Sequence, residues 1–558
     1  MKRPATLTVA LLLLFLFFMQ GVIFIRANSQ TYDEAAHLAA GYSYLATGDF
    51  RLDSEHPPLI KELQALPLFV GYRLPFNPDP QRWRDKKAFS IGQDFLYKSA
   101  VTADRMLALS RLPTLFLGVS LLAVAGWWAY RLWGHRAALL AMALAGFDPN
   151  LIAHSSLVTN DIGVSVFIFI TLYLLWEYVN SPSWSLLAAT GICAGIALVS
   201  KFSALLLIPI TFTVAVLLIG SDRPLLLPLQ RGPSRATHKL LEAAAALLLI
   251  ISISLLAIPP VYFFQEFETW VSGLRLLLTI AQEGRPSFLL GEYSYEGWWS
   301  YYLIAFLIKT PLGTLALIVL SVSLYTAGIR LTWRAAVFLL TPVIIFFAVT
   351  MQSKVAVGLR YILPVYPFLF VLASRVATVQ LPRKWLIAFL VGAPLLFTAF
   401  SSLRVAPHQL AYFNEVGGGP DRGYRYLLDS NLDWGQDLKG VKTFVDKEKL
   451  PIIYLSYFGT APPSYYGIRY QFVPGSWPLD WPVQTERVPA ETPRKILAIS
   501  ANNLQDLANP SYPLFDWLKL REPTAKIGYS IFVYDLTNDR EGLAKLEETY
   551  SKAGIPVP

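Results

Sequence analysis

Residues 4–37 read PATLTVALLLLFLFFMQGVIFIRANSQTYDEAAH. From Leu7 to Ile25 the run carries no charge and is about as long as a bilayer requires. Within a few residues of its end come Arg26, Asp33, Glu34 and His37, so ionisable groups are delivered straight to a membrane surface. The opening Met-Lys-Arg and the apolar run resemble a secretory leader in charge and order. The stretch Ile23 to Asn28 lacks a pair of small residues spaced for cleavage, however, which predicts a retained first membrane helix starting in the cytoplasm.

The rest of the chain repeats this pattern. Of 558 residues, 54% are hydrophobic and 15% charged, against about 25% charged in soluble domains; this is the composition of a polytopic α-helical membrane protein. Apolar stretches of bilayer length predict eleven spans, near 6–26, 111–130, 137–154, 161–179, 183–200, 203–220, 239–260, 302–327, 335–352, 361–379 and 385–403. Lys2, Arg3, Arg131, Arg136, Arg223, Arg231, Arg235, Lys239, Arg330, Arg334, Arg383 and Lys384 all fall in loops that a cytoplasmic N-terminus places inside. That bias accounts for the net charge of +9 without a nucleic-acid partner. Cys193, the single cysteine, lies in an apolar run and excludes disulfides and cysteine metal clusters.

An odd number of spans puts the C-terminus outside, at the inner membrane of the cell. Two parts follow: a membrane part over 1–403, and a soluble extracytoplasmic α/β domain over 404–558. Within the first, the long outer loop 27–110 is expected to carry interfacial helices at Ala35–Ala46 and Leu59–Val70. Within the second, the pattern predicts helices over Leu432–Asp446 and Glu541–Lys552, and strands over Ile452–Tyr457, Lys495–Ser500 and Lys526–Asp535. No Gly-rich phosphate loop opens any of these helices, so a nucleotide site is unsupported there.

Candidate chemistry gathers in the outer loops. Asp33 suits a general base at the membrane surface, although an acid also simply favours a helix N-terminus. In Glu55-His56-Pro57-Pro58-Leu59 the prolines fix the backbone where Glu55 and His56 emerge. His56 can donate a hydrogen bond to a phosphate, or join Glu55 in holding a divalent metal. Asp161 opens a span, where capping alone would account for it. Lys201 sits on a short outward turn, against the usual bias, and Lys309, Lys354 and Arg360 lie at outer ends of spans, forming a prospective cationic cradle. Snorkelling to headgroups accounts for any single one of them.

In this order the pieces resemble the GT-C superfamily: an Asp33-Glu34 pair heading a long outer loop, His56-Pro57-Pro58-Leu59, an acidic second outer loop, Lys201 after the fifth span, and Arg360-Tyr361-Ile362-Leu363-Pro364 heading a late one. The nearest likeness is to the protein O-mannosyltransferases and the lipid A aminoarabinose transferases, over about residues 5–403. The resemblance implies an inverting transfer of a sugar from a polyprenyl-phosphate donor to a protein, lipid or glycan hydroxyl on the outer face. By similarity Asp33 is the base with Glu34 assisting. His56, Lys201 and Arg360 contact the donor phosphate, and Glu55 and Asp161 support the site or hold a divalent metal; no other cofactor is implied. Ser430-Asn431-Leu432-Asp433-Trp434-Gly435-Gln436-Asp437 looks like a tail found on bacterial members of unassigned acceptor. The 261–301 loop has no β-trefoil insert, unlike eukaryotic O-mannosyltransferases, and His56 stands where aminoarabinose transferases have Lys. Donor sugar and acceptor stay open at this level.

Two readings from other classes compete. A transporter or flippase for a lipid-linked sugar would keep ionisable residues near mid-span, whereas here they cluster at span ends. A scaffold whose outer part binds a partner would make the first-loop carboxylates dispensable.

Overall fold

The computed structural model describes residues 3–228, 236–265, 268–326, 331–379, 382–475, 485–508 and 511–556. Among them seven helices are long and apolar enough to cross a membrane: Pro4–Ala27, Ala103–Trp133, Asp161–Asn180, His238–Val261, Trp333–Thr350, Leu359–Thr378 and Trp385–Val405. Two bent pairs raise the number to nine. His135–Gly146 meets Pro149–Ser155 at 65°, and Tyr301–Lys309 meets Leu312–Leu324 at 110°. Both bends sit at a proline, which can start a helix but not continue one; at the first, the Asp148 carboxylate also accepts the Leu151 N–H at 2.9 Å. Where the remaining two spans were expected, the chain forms apolar helices below that length, Trp184–Leu198 and Phe202–Leu218. Of the basic loop residues, Lys2, Arg231, Arg235 and Arg330 lie outside the described residues.

The long loop after the first apolar helix folds into four helices, Glu34–Thr47, Leu59–Gly71, Pro80–Arg84 and Ala88–Tyr97. Two glycines set their spacing. A Cβ on Gly41 would stand 2.1 Å from the Lys61 carbonyl, and one on Gly92 would stand 2.5 Å from the Ala35 carbonyl, so the first helix lies between the second and fourth at backbone contact. Helix Glu34–Thr47 is consequently buried from Glu34 to Tyr44 rather than lying half-exposed along an interface. Its Ala35, Ala39 and Ala40 pack with Ile91, Phe95, Met106 and Leu107 in one apolar cluster. That burial fixes the loop carrying residues 48–58 above the spans.

Beyond the last long helix, a five-stranded mixed sheet runs in the order Tyr470–Phe472, Ile453–Ser456, Ile496–Ser500, Ile531–Asp535, Ala525–Ile527. The first three strands are parallel, and the last two pair antiparallel. The single strand expected over Lys526–Asp535 is two, because Gly528 and Tyr529 both take left-handed conformations, at φ 59° and 66°, and turn the chain back. The final helix is Arg540–Lys552, started by the Asp539 carboxylate on the Gly542 N–H at 2.7 Å. The helix expected over Leu432–Asp446 begins only at Leu438; residues 429–437 form an irregular, largely buried loop.

Candidate active site

Asp33 precedes helix Glu34–Thr47 and makes no side-chain capping bond, so a capping role does not explain it. Its carboxylate instead meets Arg360 Nη1 at 3.3 Å and keeps 23% of its side-chain surface exposed. Arg360 comes from a 3-10 turn, Leu359–Val365, at the head of a late span. Its guanidinium lies over two rings, Trp434 at 4.4 Å and Tyr361 at 5.7 Å from the centroids. The Tyr361 ring also carries the Lys201 ammonium, at 4.9 Å. Lys201 in turn binds Asp161 Oδ1 at 2.5 Å, both side chains being almost fully buried. Four residues named from the sequence, Asp33, Asp161, Lys201 and Arg360, thus meet around one tyrosine from widely separated parts of the chain.

Glu34 points elsewhere. It is fully buried and accepts from Arg111 Nε at 2.8 Å, Arg111 Nη2 at 2.6 Å, the Thr31 N–H at 2.8 Å and the Val158 N–H at 2.8 Å. Every lone-pair direction has a donor, so Glu34 ties the first loop, the second loop and helix Ala103–Trp133 together rather than facing the opening. Burial pushes its carboxyl up, but the Arg111 charge and these hydrogen bonds hold it below the ordinary range.

His56 and Glu55 lie on the rim. His56 Nδ1 is buried without a hydrogen-bond partner. Burial, and then the nearby Lys201 charge, push the imidazole well below the usual histidine range, so it is neutral. Glu55 is half-exposed and pairs with Arg285 at 3.4 Å. Partial burial raises its carboxyl, which Arg285 only partly offsets.

Behind the rim lies a network that sequence reading had left out of the site. Lys61, fully buried, donates to the carbonyls of Asp53 at 2.6 Å and His56 at 2.9 Å, to Asp53 Oδ2 at 3.1 Å and to the Tyr44 hydroxyl at 3.1 Å. His37 Nδ1 reaches Asp53 Oδ2 at 2.6 Å. Against the upward push of burial, Lys61 and then His37 hold Asp53 well below the usual carboxylate range, while Asp53 raises His37 despite its burial. Asp53 itself is left-handed, at φ 49°. The network therefore locks residues 53–56 in place, with Lys61 gripping the His56 carbonyl.

The C-terminal part supplies the far wall. The Ser29 N–H donates to the Gln436 carbonyl and the Tyr32 N–H to the Trp434 carbonyl, each at 2.8 Å, just before Asp33. Asn431 Oδ1 accepts the Leu359 N–H at 2.9 Å, just before Arg360, and Ser430 Oγ donates to the Val357 carbonyl at 2.8 Å. Residues 429–437 therefore register the Asp33 and Arg360 segments against each other. Asp429, left-handed at φ 57°, lies within electrostatic reach of both; burial lifts its carboxyl to about 6, with Arg360 pulling the other way.

Two expected members of the cationic cradle are engaged elsewhere. Lys309 donates to the carbonyls of Leu410 at 2.8 Å and Asn431 at 2.5 Å, and Lys354 pairs with Glu296 at 2.5 Å. A metal fits no better: among the described residues no three His, Cys, Asp or Glu side chains gather to hold one. Of the three suggested ligands, Glu55 faces Arg285, Asp161 faces Lys201, and His56 stands beside the Lys201 charge.

A cluster of this make-up, with carboxylates, fixed cations and a neutral imidazole beside apolar helices, suits an anionic head on a membrane-borne tail. The family model for dolichyl-phosphate-mannose-protein mannosyltransferases matches residues 8–270, just under half of the chain. Among solved structures, ArnT from Cupriavidus metallidurans bound to undecaprenyl phosphate is 12% identical, with a TM-score of 0.50 over 96% of this chain and 98% of that one. The apo form of the same protein is 14% identical, with a TM-score of 0.49 over 95% and 97%. The Archaeoglobus fulgidus oligosaccharyltransferase tethered to an acceptor peptide is 10% identical, with a TM-score of 0.43 over 88% and 61%. No curated protein sequence matches. The chain shares the fold of ArnT, in line with the GT-C resemblance read from the sequence, and it is a multi-pass membrane protein.

Proposed function

We propose, taking the GT-C fold and the mannosyltransferase match over 8–270 as premise, that this protein is an inverting glycosyltransferase. It moves a sugar from a polyprenyl-phosphate donor to an acceptor hydroxyl on protein, lipid or glycan at the outer face of the membrane. All eleven apolar stretches cross the bilayer, the N-terminus is cytoplasmic, and the site and the α/β domain over 404–558 are extracytoplasmic. The observation that carries this reading is the convergence of two carboxylate–cation pairs, Asp33 with Arg360 and Asp161 with Lys201, over the Tyr361 ring.

The chemistry follows from those places. The acceptor oxygen attacks C1 of the sugar while Asp33 takes its proton, and the C1–O bond to phosphate breaks on the opposite side, inverting the centre. The electron pair stays on the phosphate oxygen, where Lys201, Arg360 and neutral His56 meet the growing charge. Asp161 holds the Lys201 ammonium in place, and Lys61 fixes the His56 loop. The leaving phosphate is already activated, so no step needs a nucleotide, and none is routed through a metal.

Incubating purified protein with polyprenyl-phosphate sugars and membrane extract, then reading by mass spectrometry what gains a hexose or pentose, tests the reading. Movement of labelled lipid-linked sugar across reconstituted vesicles with no transfer would replace it by a flippase.

Two narrower outcomes are expected. Arg360→Ala should weaken donor binding about 10- to 100-fold, the ~1.5–3 kcal/mol of a hydrogen bond to a charged group, measured directly with polyprenyl phosphate. Unchanged affinity would remove Arg360 from the phosphate site. Trp434→Ala should lower kcat/KM about 30-fold by removing the ring beneath the guanidinium, a desolvated cation–π contact of ~2 kcal/mol, while Trp434→Phe retains most activity. Equal activity in both would make the C-terminal wall incidental to catalysis.

A further inference from the structure

His154 lies on the half-helix Pro149–Ser155, which a bend of 65° turns away from helix His135–Gly146. It is 3% exposed, its Nδ1 is fully buried, and that atom has no hydrogen-bond partner. Native proteins seldom leave a buried polar atom unpaired, and those that do tend to hold it for a ligand or catalytic task. His154 has such surroundings. Its ring stands 6.3 Å from that of Trp434, the platform under Arg360, and it lies within electrostatic reach of Arg360, Lys201, Lys309 and Asp161.

It is also one of a set. His56 Nδ1 and Arg360 Nε are likewise buried and unpartnered, and both residues belong to the rim and wall already described. Three nitrogens from three separate elements near the Tyr361 and Trp434 rings therefore have no hydrogen-bond partner, while Asp33 and Asp161 are each engaged by a cation. A ligand with several acceptor oxygens would give all three a partner.

We infer that His154 is a catalytic residue of the transfer, donating from Nδ1–H to the phosphate oxygen set free when the bond to the sugar breaks. This rests on the proposed glycosyl transfer and deepens it. A sugar–phosphate–prenyl diester has two terminal oxygens and one negative charge. Once the C1–O bond breaks and its electron pair remains on oxygen, the prenyl monoester has three terminal oxygens and up to one more charge. The acceptor's proton goes to Asp33, its oxygen bonds to C1, and no proton leaves His154. Three unpartnered nitrogens match the three oxygens of the leaving group and exceed the two of the donor. A donor matched only after cleavage stabilises the transition state more than the bound substrate.

The test is direct binding of two probes to the purified full chain: decaprenyl phosphate, a monoester, and decaprenyl methyl phosphate, a diester with two terminal oxygens. Inorganic phosphate in a third arm separates recognition of the lipid-borne head from that of a free ion. Wild type is expected to prefer the monoester to both. His154→Phe, which keeps a ring against Trp434 but no nitrogen, should lose about tenfold in monoester affinity and much less for the diester. His154→Gln, which keeps an N–H donor, should recover most of the monoester preference, and supplies the same comparison if the Phe variant fails to fold. Equal losses for the two probes, or none, would overturn the role of His154 while leaving the proposed transfer intact. Wild type binding neither lipid would overturn that reading together with this one.

Discussion

Asp33→Asn is expected to cut sugar transfer by about 10²- to 10⁴-fold, the range that a positioned general base contributes, with unchanged insertion and purification. An amide is nearly isosteric with the carboxylate, but it takes no proton from an attacking hydroxyl. Donor affinity should hold or tighten, because removing one negative charge beside Arg360 leaves the guanidinium freer to meet the phosphate. A fall in kcat without a rise in KM for the donor is thus the signature to look for, measured on variant and wild type of equal thermal stability. One competing base is Asp161, the carboxylate paired with Lys201. It is almost fully buried in a short contact with the Lys201 ammonium, whereas Asp33 keeps part of its surface open at a longer contact with Arg360. Undiminished turnover in Asp33→Asn together with its loss in Asp161→Asn would reverse the assignment.

Charge was the legible part of this site. In a chain where charged residues are scarce, Asp33, Asp161, Lys201 and Arg360 stand out at the ends of apolar runs, and the structure gathers those four. The same reasoning overreached with Lys309 and Lys354, since sequence does not reveal that backbone carbonyls or a neighbouring Glu296 already satisfy a lysine. The wall contributed by residues 429–437 was hidden for a local reason. The hydrophobic pattern from Leu432 suggests a helix, but Asp433 Oδ1 accepts the Gly435 N–H at 3.3 Å and Gln436 Oε1 accepts the Trp434 N–H at 2.8 Å. Such side-chain bonds compete with helical ones, and Gly435 at φ 86° interrupts the helix outright. Trp434 accordingly sits in a loop, under a guanidinium more than seventy positions earlier in the sequence. The His37–Asp53–Lys61 network shows the complementary case: His37 stood out in the sequence and Lys61 did not, and their pairing with Asp53 depends on the close crossing at Gly41, which composition alone does not disclose.

The neighbour of Asp33 should behave in the opposite way. Glu34→Ala is expected to destabilise the protein by about 3–5 kcal/mol, the cost of breaking a buried ion pair from one side. It leaves the Arg111 guanidinium with only the carbonyls of Ile25, Asn28 and Ser29, and strips the Thr31 and Val158 N–H groups of their acceptor. The readout is thermal unfolding in detergent, with activity falling in step with the folded fraction. Replacing both partners by apolar groups, Glu34→Leu with Arg111→Met, should recover much of the loss, because neither charge then remains buried alone. The pH dependence follows from the same contacts. Burial raises the Glu34 carboxyl, Arg111 and the hydrogen bonds outweigh it, and the net folded value lies below the ordinary 4.5 of a glutamate. Its stabilisation is therefore fully present above about 4.5 and is lost as pH falls through the lower folded value, so Glu34→Ala should flatten the acid limb of the stability curve. If Glu34→Gln instead unfolds like wild type and yet loses turnover, the assisting role that the family resemblance implies for Glu34 is the correct one, and a carboxylate with four donors around it still reaches the chemistry next door.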